Sequence, residues 1–203
     1  MRIAITGGIG SGKSYICNKL REHGYQVYDC DSEAKRLMTQ SPEIIASIQQ
    51  LVGSDAYTPD GQLNKPVIAQ FLFASKENGT KINAIVHPVV KRDFMRWAAA
   101  IEQDGTPQTS HVAIMECAIL FESGFEDTVH KVVAVSADVP TRTRRAMNRD
   151  HATSQQIEAR MAAQMDSSET ERRADYVIDN SDGADTEAEI KRLIHYIENE
   201  GQR

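Results

Sequence analysis

The chain has 203 residues, 40% of them hydrophobic, and a formal net charge of −6; it is long enough to bury a sizeable core as one α/β domain with inserted subdomains. The acidic balance argues against a general nucleic-acid binder, and no apolar run approaches the ~18–20 residues that a membrane span needs. Cys17, Cys30 and Cys117 are odd in number and lack C-x-x-C spacing, so buried free thiols in a reducing cytoplasm are expected in place of a disulfide framework or a zinc site.

The apolar start Ile3-Ala4-Ile5 makes Arg2 to Thr6 the first expected strand, which leaves no room for a cleavable leader and points to a cytoplasmic location. Directly after it stands TGGIGSGKS, Thr6 to Ser14, and Gly7 to Ser14 fits G-x-x-x-x-G-K-[ST], the phosphate-binding loop of nucleotide triphosphatases. Gly7, Gly8, Gly10 and Gly12 can bring backbone N–H groups close around an anion, with Ser11 between the last two. Lys13 supplies a mobile charge toward the β- and γ-phosphates, and the Ser14 hydroxyl can ligate Mg²⁺. Tyr15 to His23 has helical composition, and its N-terminus points a partial positive charge at the phosphates. A nucleoside triphosphate is the expected ligand.

The second expected strand, Gln26 to Asp29, runs into Tyr28-Asp29-Cys30-Asp31. Two carboxylates then stand near a strand's C-terminal end, where open α/β sheets bind ligands. Asp31 can accept or orient the proton of an attacking hydroxyl, hold Mg²⁺ through water, or simply cap the helix containing Ala34 to Met38; Ser32 could cap equally well. About eighty residues separate this strand from the third, far more than one crossover needs. That stretch reads as a helical insertion: Glu43 to Leu51 started by Ser41-Pro42, a turn at Asp60-Gly61, Lys65 to Ala74, and a longer helix from Asn83 to Ile101.

Val112 to Cys117, Lys131 to Ser136 and Tyr176 to Ile178 complete five short apolar runs, which suits a parallel sheet covered by helices on both faces. Val139 to Met165 is rich in Arg, Gln and Ala and begins at Pro140; it reads as two short helices protruding as a mobile lid. Arg142, Arg145 and Arg149, three and four apart, share one helical face there, with few acidic partners before Asp150. Such a face suits the neutralisation of transferring phosphoryl oxygens, although charge runs on helices are also ordinary solvated surface. Glu187 to Ile197 reads as a packing helix, followed by a frayed end.

Two classes of phosphate-loop protein compete. A guanine switch carries N-K-x-D, but the only Asn-Lys, Asn64-Lys65, is followed by Pro66-Val67 inside the helical insertion. The carboxylates at Asp29 and Asp31 and the arginine face favour a small-molecule kinase.

With TGGIGSGKS (6 to 14), YDCD (28 to 31), DG-L (60 to 63), IVHP (85 to 88), ILFE (119 to 122), R-MAAQ (160 to 164) and AD-VIDN (174 to 180), the chain resembles the dephospho-coenzyme A kinases from end to end. The resemblance implies a P-loop NTPase fold of the α/β class, a five-stranded parallel sheet flanked by helices with a helical substrate-binding insertion and a helical lid. It implies a core of residues 1–30, 102–138 and 166–203, an insertion at 31–101 and a lid at 139–165. It also implies transfer of the γ-phosphoryl of ATP, with Mg²⁺, to the ribose 3′-hydroxyl of the small molecule dephospho-coenzyme A. No nucleic-acid or membrane partner is expected, and the molecule is expected to be a monomer or small homo-oligomer.

Residue by residue, Gly8, Gly10, Ser11, Gly12, Lys13, Ser14, Tyr15 and Arg142 fall on the ATP side, with Ser14 on the metal. Asp31, Lys13, Arg145 and Arg149 fall on the transfer step. Thr6, Asp31, His87 and Glu122 fall toward the acceptor. His87 can instead pack or cap at a helix start with Pro88 in the first turn, and Glu122 can instead close a helix N-terminus. Glu116, ending the third strand, is a candidate Mg²⁺-water ligand. Tyr15 stands where the family commonly has Thr, Arg142 where it often has Gln, and Ala118 where it usually has Pro. Another small-molecule or nucleotide kinase of the same fold is the alternative reading.

Overall fold

Short strands and the helices that connect or flank them account for most of the described chain. The structure, a computed structural model, describes residues 1–103 and 111–201. Residues 104–110, within the expected core, and 202–203, at the end expected to fray, lie outside the described residues. In chain order the elements are β1 (Arg2–Thr6), α1 (Lys13–Glu22), β2 (Gln26–Asp29), α2 (Cys30–Gln40), α3 (Pro42–Val52), α4 (Lys65–Ala74) and α5 (Lys76–Gln103). They continue with β3 (Ala113–Glu116), β4 (Lys131–Ser136), α6 (Val139–Asp150), α7 (Ser154–Ala162), α8 (Ser167–Arg173), β5 (Tyr176–Asp179) and α9 (Thr186–Gly201).

The strands form one all-parallel sheet in the order β2-β3-β1-β4-β5. β1 lies at its centre, which is why Ile3, Ala4 and Ile5 are fully buried: a central parallel strand is covered on both faces and must be apolar throughout. The register pairs Ile5 with Glu116 and Glu116 with Asp29. Thr6, Asp29 and Glu116 therefore share the sheet's C-terminal edge. Ile16, Cys17 and Leu20 of α1 and Ile190, Leu193 and Ile197 of α9 pack with Ile3, Ile5, Ile114, Val133, Val135 and Ile178. Each such aliphatic side chain contributes about 1.5–3 kcal/mol on burial.

The chain divides into two compact units, Met1–Asp29 with Trp97–Arg203, and Cys30–Arg96. The sheet and its helices form the first. The second is helical, and Leu37, Ile44, Ile48, Val86, Val90 and Phe94 are buried residues of its helices. Within it, Ser41 accepts the Ile44 N–H and Pro42 occupies the first turn of α3, as the Ser-Pro pair predicts.

Three sequence expectations need correction. α5 begins at Lys76, earlier than the expected Asn83, because Ser75 accepts the Glu77 N–H at 3.2 Å and the Asn78 side chain donates to the Phe71 carbonyl at 2.7 Å. Pro88 therefore lies inside the helix and not in its first turn. There it cannot donate to the carbonyl four residues back, a loss of about 3 kcal/mol that burial of Val86, Val89, Val90 and Phe94 offsets. α2 starts at Cys30, so Asp31 sits inside the first turn and is not the cap. Finally, α6 does not simply protrude, since Thr141, Arg142 and Ala146 are buried. Its first turn is secured by Asp138, whose carboxylate accepts the Thr141 N–H at 2.8 Å. α8, which carries one buried residue, Thr170, has no counterpart in the sequence reading.

Candidate active site

The link from β1 to α1 turns back on itself within a few residues, and glycine makes this feasible. Gly10 and Gly12 have φ of 79° and 93°, a region that costs other residues strain. Gly12 is also the N-terminal cap of α1. A side chain at Gly12 would run into the Asn180 amide nitrogen, so the loop is closely covered as well as sharply turned. The Lys13 ammonium lies inside the turn, donating to the Gly7 carbonyl at 2.7 Å and the Gly8 carbonyl at 3.3 Å. The arrangement is an anion cradle at a helix N-terminus.

Ser14 extends the cradle toward the sheet edge. Its hydroxyl donates to Glu116 Oε1 at 2.5 Å, and Glu116 is only 8% exposed. The Cys17 thiol, one turn further along α1, is pushed well up by burial and then by the Glu116 carboxylate. A hydroxyl and a carboxylate side by side are hard oxygen donors of the type Mg²⁺ takes. Among the described residues no group of three or more His, Cys, Asp and Glu side chains could hold a metal. The donor set thus fits a Mg²⁺ held by one or two side chains together with phosphate and water.

The arginines of α6 separate into different environments. Arg142 is 6% exposed; its Nε donates to the Ile9 carbonyl at 3.0 Å and its Nη1 to the Ser167 hydroxyl. Burial lowers its pKa, while Glu171 and Asp166 act the other way. It therefore does not share an open face with its neighbours, which corrects the expectation. Arg145 donates to the Asn180 carbonyl at 2.8 Å and to Asp182 at 3.1 Å, and Arg144 also pairs with Asp182. Arg149 is more open and pairs with Asp150 at 2.7 Å, and Arg160 reaches the same carboxylate at 2.9 Å. The face expected to be poor in acidic partners is supplied with them from α6's own end and from beyond β5.

Other site candidates fall as follows. Thr6 is buried at the end of β1, and Tyr15 is exposed, with Lys19 Nζ 5.9 Å from its ring centroid. Glu122 accepts the Met165 N–H at 2.8 Å, one residue before Asp166, which itself caps α8. Asp31, exposed in α2, and His87, half-buried in α5, belong to the helical unit. Burial lowers the His87 pKa. That unit also contains a groove of about 930 Å³ whose lining includes Arg36, Lys91, Arg92 and Arg96 together with Glu43 and Asp93; Arg36 and Arg96 pair with Asp93, and Arg92 pairs with Glu43.

Sequence reasoning missed Asn180 and Gln164. Asn180 is buried, donates to the Ser11 carbonyl at 2.7 Å and accepts from the Thr186 hydroxyl at 3.3 Å. Gln164 accepts the Ile9 N–H at 2.9 Å. Both lie in quoted motifs, AD-VIDN and R-MAAQ, but neither motif carries a role until its tertiary partner is known.

A central parallel strand, a glycine-rich anion cradle, an interior lysine and a hydroxyl–carboxylate pair define a P-loop kinase of the α/β class. The chain belongs to the dephospho-CoA kinase family, whose sequence profile it matches over residues 1–186. A dephospho-CoA kinase of Bacteroides fragilis is 38% identical over 197 residues, which covers 97% of this chain and 93% of the relative. One of Salinibacter ruber is 37% identical over 178 residues, 88% of this chain and 87% of the relative. Among solved structures, the Thermus thermophilus protein TT1252 superposes with a TM-score of 0.78 at 30% identity, covering 98% of this chain and 97% of its own. A shikimate kinase from Acinetobacter baumannii shares the fold, with a TM-score of 0.54 at 15% identity over 98% of this chain and 93% of its own.

Proposed function

We propose that this chain transfers the γ-phosphoryl group of ATP to the ribose 3′-hydroxyl of dephospho-coenzyme A, forming coenzyme A. The observation that carries this reading is the complete phosphate loop, folded with Lys13 inside it, in a chain that matches the family profile over residues 1–186.

In this reading the loop amides and the α1 N-terminus hold the β- and γ-phosphates. Lys13 turns from the Gly7 and Gly8 carbonyls toward them. Ser14 and Glu116 would hold Mg²⁺, which when bound would neutralise phosphate charge. Asp31, on the first turn of α2, orients the 3′-hydroxyl and accepts its proton as the hydroxyl oxygen attacks phosphorus. Arg145 and Arg149 balance the charge that develops on the equatorial oxygens. The segment 139–165 acts as the lid, residues 31–101 as the acceptor-binding insertion, and His87 lies toward the acceptor. The groove of the helical unit, lined by more basic than acidic side chains, suits the diphosphate and pantetheine portions of such an acceptor. The substrates are small molecules and the site needs no nucleic acid. Among the described residues no helix is long and apolar enough to cross a membrane. A cytoplasmic location and a monomer or small homo-oligomer belong to the same proposal.

A coupled assay of ADP release with Mg-ATP tests the reading. Dephospho-coenzyme A should support turnover and a nucleoside monophosphate panel should not. Comparable turnover with any monophosphate would assign the chain to a different acceptor.

A further inference from the structure

The crest of the phosphate loop is Ile9, and both of its backbone polar groups are taken by residues more than a hundred positions away. Its N–H donates to Gln164 Oε1 at 2.9 Å and its carbonyl accepts from Arg142 Nε at 3.0 Å. Gln164 lies just past the end of α7, and Arg142 lies in the first turns of α6. The Arg142 fork also donates to Ser167, the first residue of α8. These contacts are close. A Cβ at Gly8 would come within 2.7 Å of the Arg142 guanidinium carbon, and one at Gly10 within 2.8 Å of the Arg142 backbone carbonyl carbon. The loop and α6 can meet in this way only because those positions are glycine.

Taking a guanidinium out of water is costly, and Arg142 is buried where its neighbours Arg144 and Arg145 remain more open. What that burial secures is the orientation of one peptide unit on each side of Ile9. The direction of those peptides sets where the adjoining loop amides aim. We propose that Arg142 and Gln164 are positioning residues for ATP: they act through Ile9, clamping its carbonyl and its N–H, and so hold the phosphate loop in its binding shape from the α6–α8 segment. Arg142 does this from behind the loop and not as a phosphate ligand. The inference rests on the kinase reading for the identity of the nucleotide and not for that of the acceptor.

The test is calorimetric binding of a non-hydrolysable ATP analogue with Mg²⁺ to wild type, Arg142→Ala, Gln164→Ala and the double variant. Each single change should weaken binding about tenfold, the scale of one lost hydrogen bond to a charged or buried group. The double change should weaken it little further, because both act through the same residue. In turnover, KM for ATP should rise while KM for dephospho-coenzyme A stays within about twofold. Backbone amides of Gly10 to Gly12 should exchange faster in either variant while those of α9 do not change. Arg142→Lys, which keeps a donor for the Ile9 carbonyl, should recover most of the affinity. If Arg142→Ala does not fold, Gln164→Ala carries the test by binding and exchange alone. Folded variants with unchanged analogue binding, or losses that add fully in the double variant, would overturn the inference. Wild-type protein that bound no nucleotide would overturn the kinase reading together with it.

Discussion

The Ser14 hydroxyl and the Glu116 carboxylate, 102 residues apart, are joined by a 2.5 Å hydrogen bond across the sheet's C-terminal edge. In a Mg²⁺-loaded site the same carboxylate would hold the ion's water or orient the Ser14 ligand. Glu116→Gln keeps the shape and removes the charge. It should raise the Mg²⁺ concentration for half-maximal activity roughly 10- to 100-fold, read from a magnesium titration. Chelation of Mg²⁺ in the wild type should abolish turnover. An unchanged titration curve in the variant would remove Glu116 from the metal site.

The Lys13 ammonium donates to the loop carbonyls of Gly7 and Gly8, polar contacts outside the apolar core. Lys13→Ala should therefore lower kcat by about 10² or more with a melting temperature close to wild type. A folded Lys13→Ala protein with near-normal turnover would count against the proposed phosphate role.

Asp31 lies inside the first turn of α2, so exchange for Asn keeps size and local helix geometry. Asp31→Asn should bind both substrates but lose about 10² to 10⁴ in kcat. A loss of only a few-fold, seen in single-turnover kinetics, would assign Asp31 to the acidic first turn favoured by the helix dipole.

Arg145 and Arg149 differ in how firmly they are held. Arg145 is tied to the Asn180 carbonyl and Asp182, whereas Arg149 is engaged by Asp150. Changing either to Lys keeps the charge and loses the planar fork; kcat should fall by up to roughly 10³ with little change in melting temperature. Amides between Arg142 and Gln164 should gain protection from hydrogen exchange when an ATP analogue binds. Normal activity in both Lys variants, with no change in exchange, would make these arginines ordinary surface.

His87 provides a pH test. Burial lowers its pKa in the folded state below the unfolded value of about 6.5. The neutral form is thus favoured by folding, and the associated stability is present above pH ~6.5 and lost as pH falls through the folded pKa. His130 is lowered too, by burial and then by Arg2, and adds a loss of the same sign. Melting temperature should fall as pH drops below about 6.5, less steeply in His87→Gln. If His87 also faces the acceptor, that variant raises KM for dephospho-coenzyme A; an unchanged KM leaves it a packing residue.

The parts legible in the sequence are those whose chemistry is local. β1, β2 and β4 are short apolar runs bounded by glycine or charge, and the phosphate loop spells its own geometry. The N-terminal start of α5 was hidden because Lys76 to Gly79 looks like a loop; it is helical through the Ser75 cap and the Asn78 contact with Phe71. α8 has one buried residue and therefore almost no apolar period. Arg142 was legible as a charge but not as a buried one, because its partner Ile9 is 133 residues away. Asn180 was hidden for the same reason, with Ser11 169 residues away.

The helical unit is one uninterrupted stretch, Cys30–Arg96, set between β2 and β3. It can therefore be exchanged between related kinases as a cassette with only two junctions. The first falls where β2 meets α2. The second falls inside α5, between Phe94 and Ala98, both buried. An insertion there would change the phase of Ala98 and Ile101 relative to Phe94 by about 100° per residue, so a graft must conserve the residue count to keep the buried side of α5 continuous along the helix.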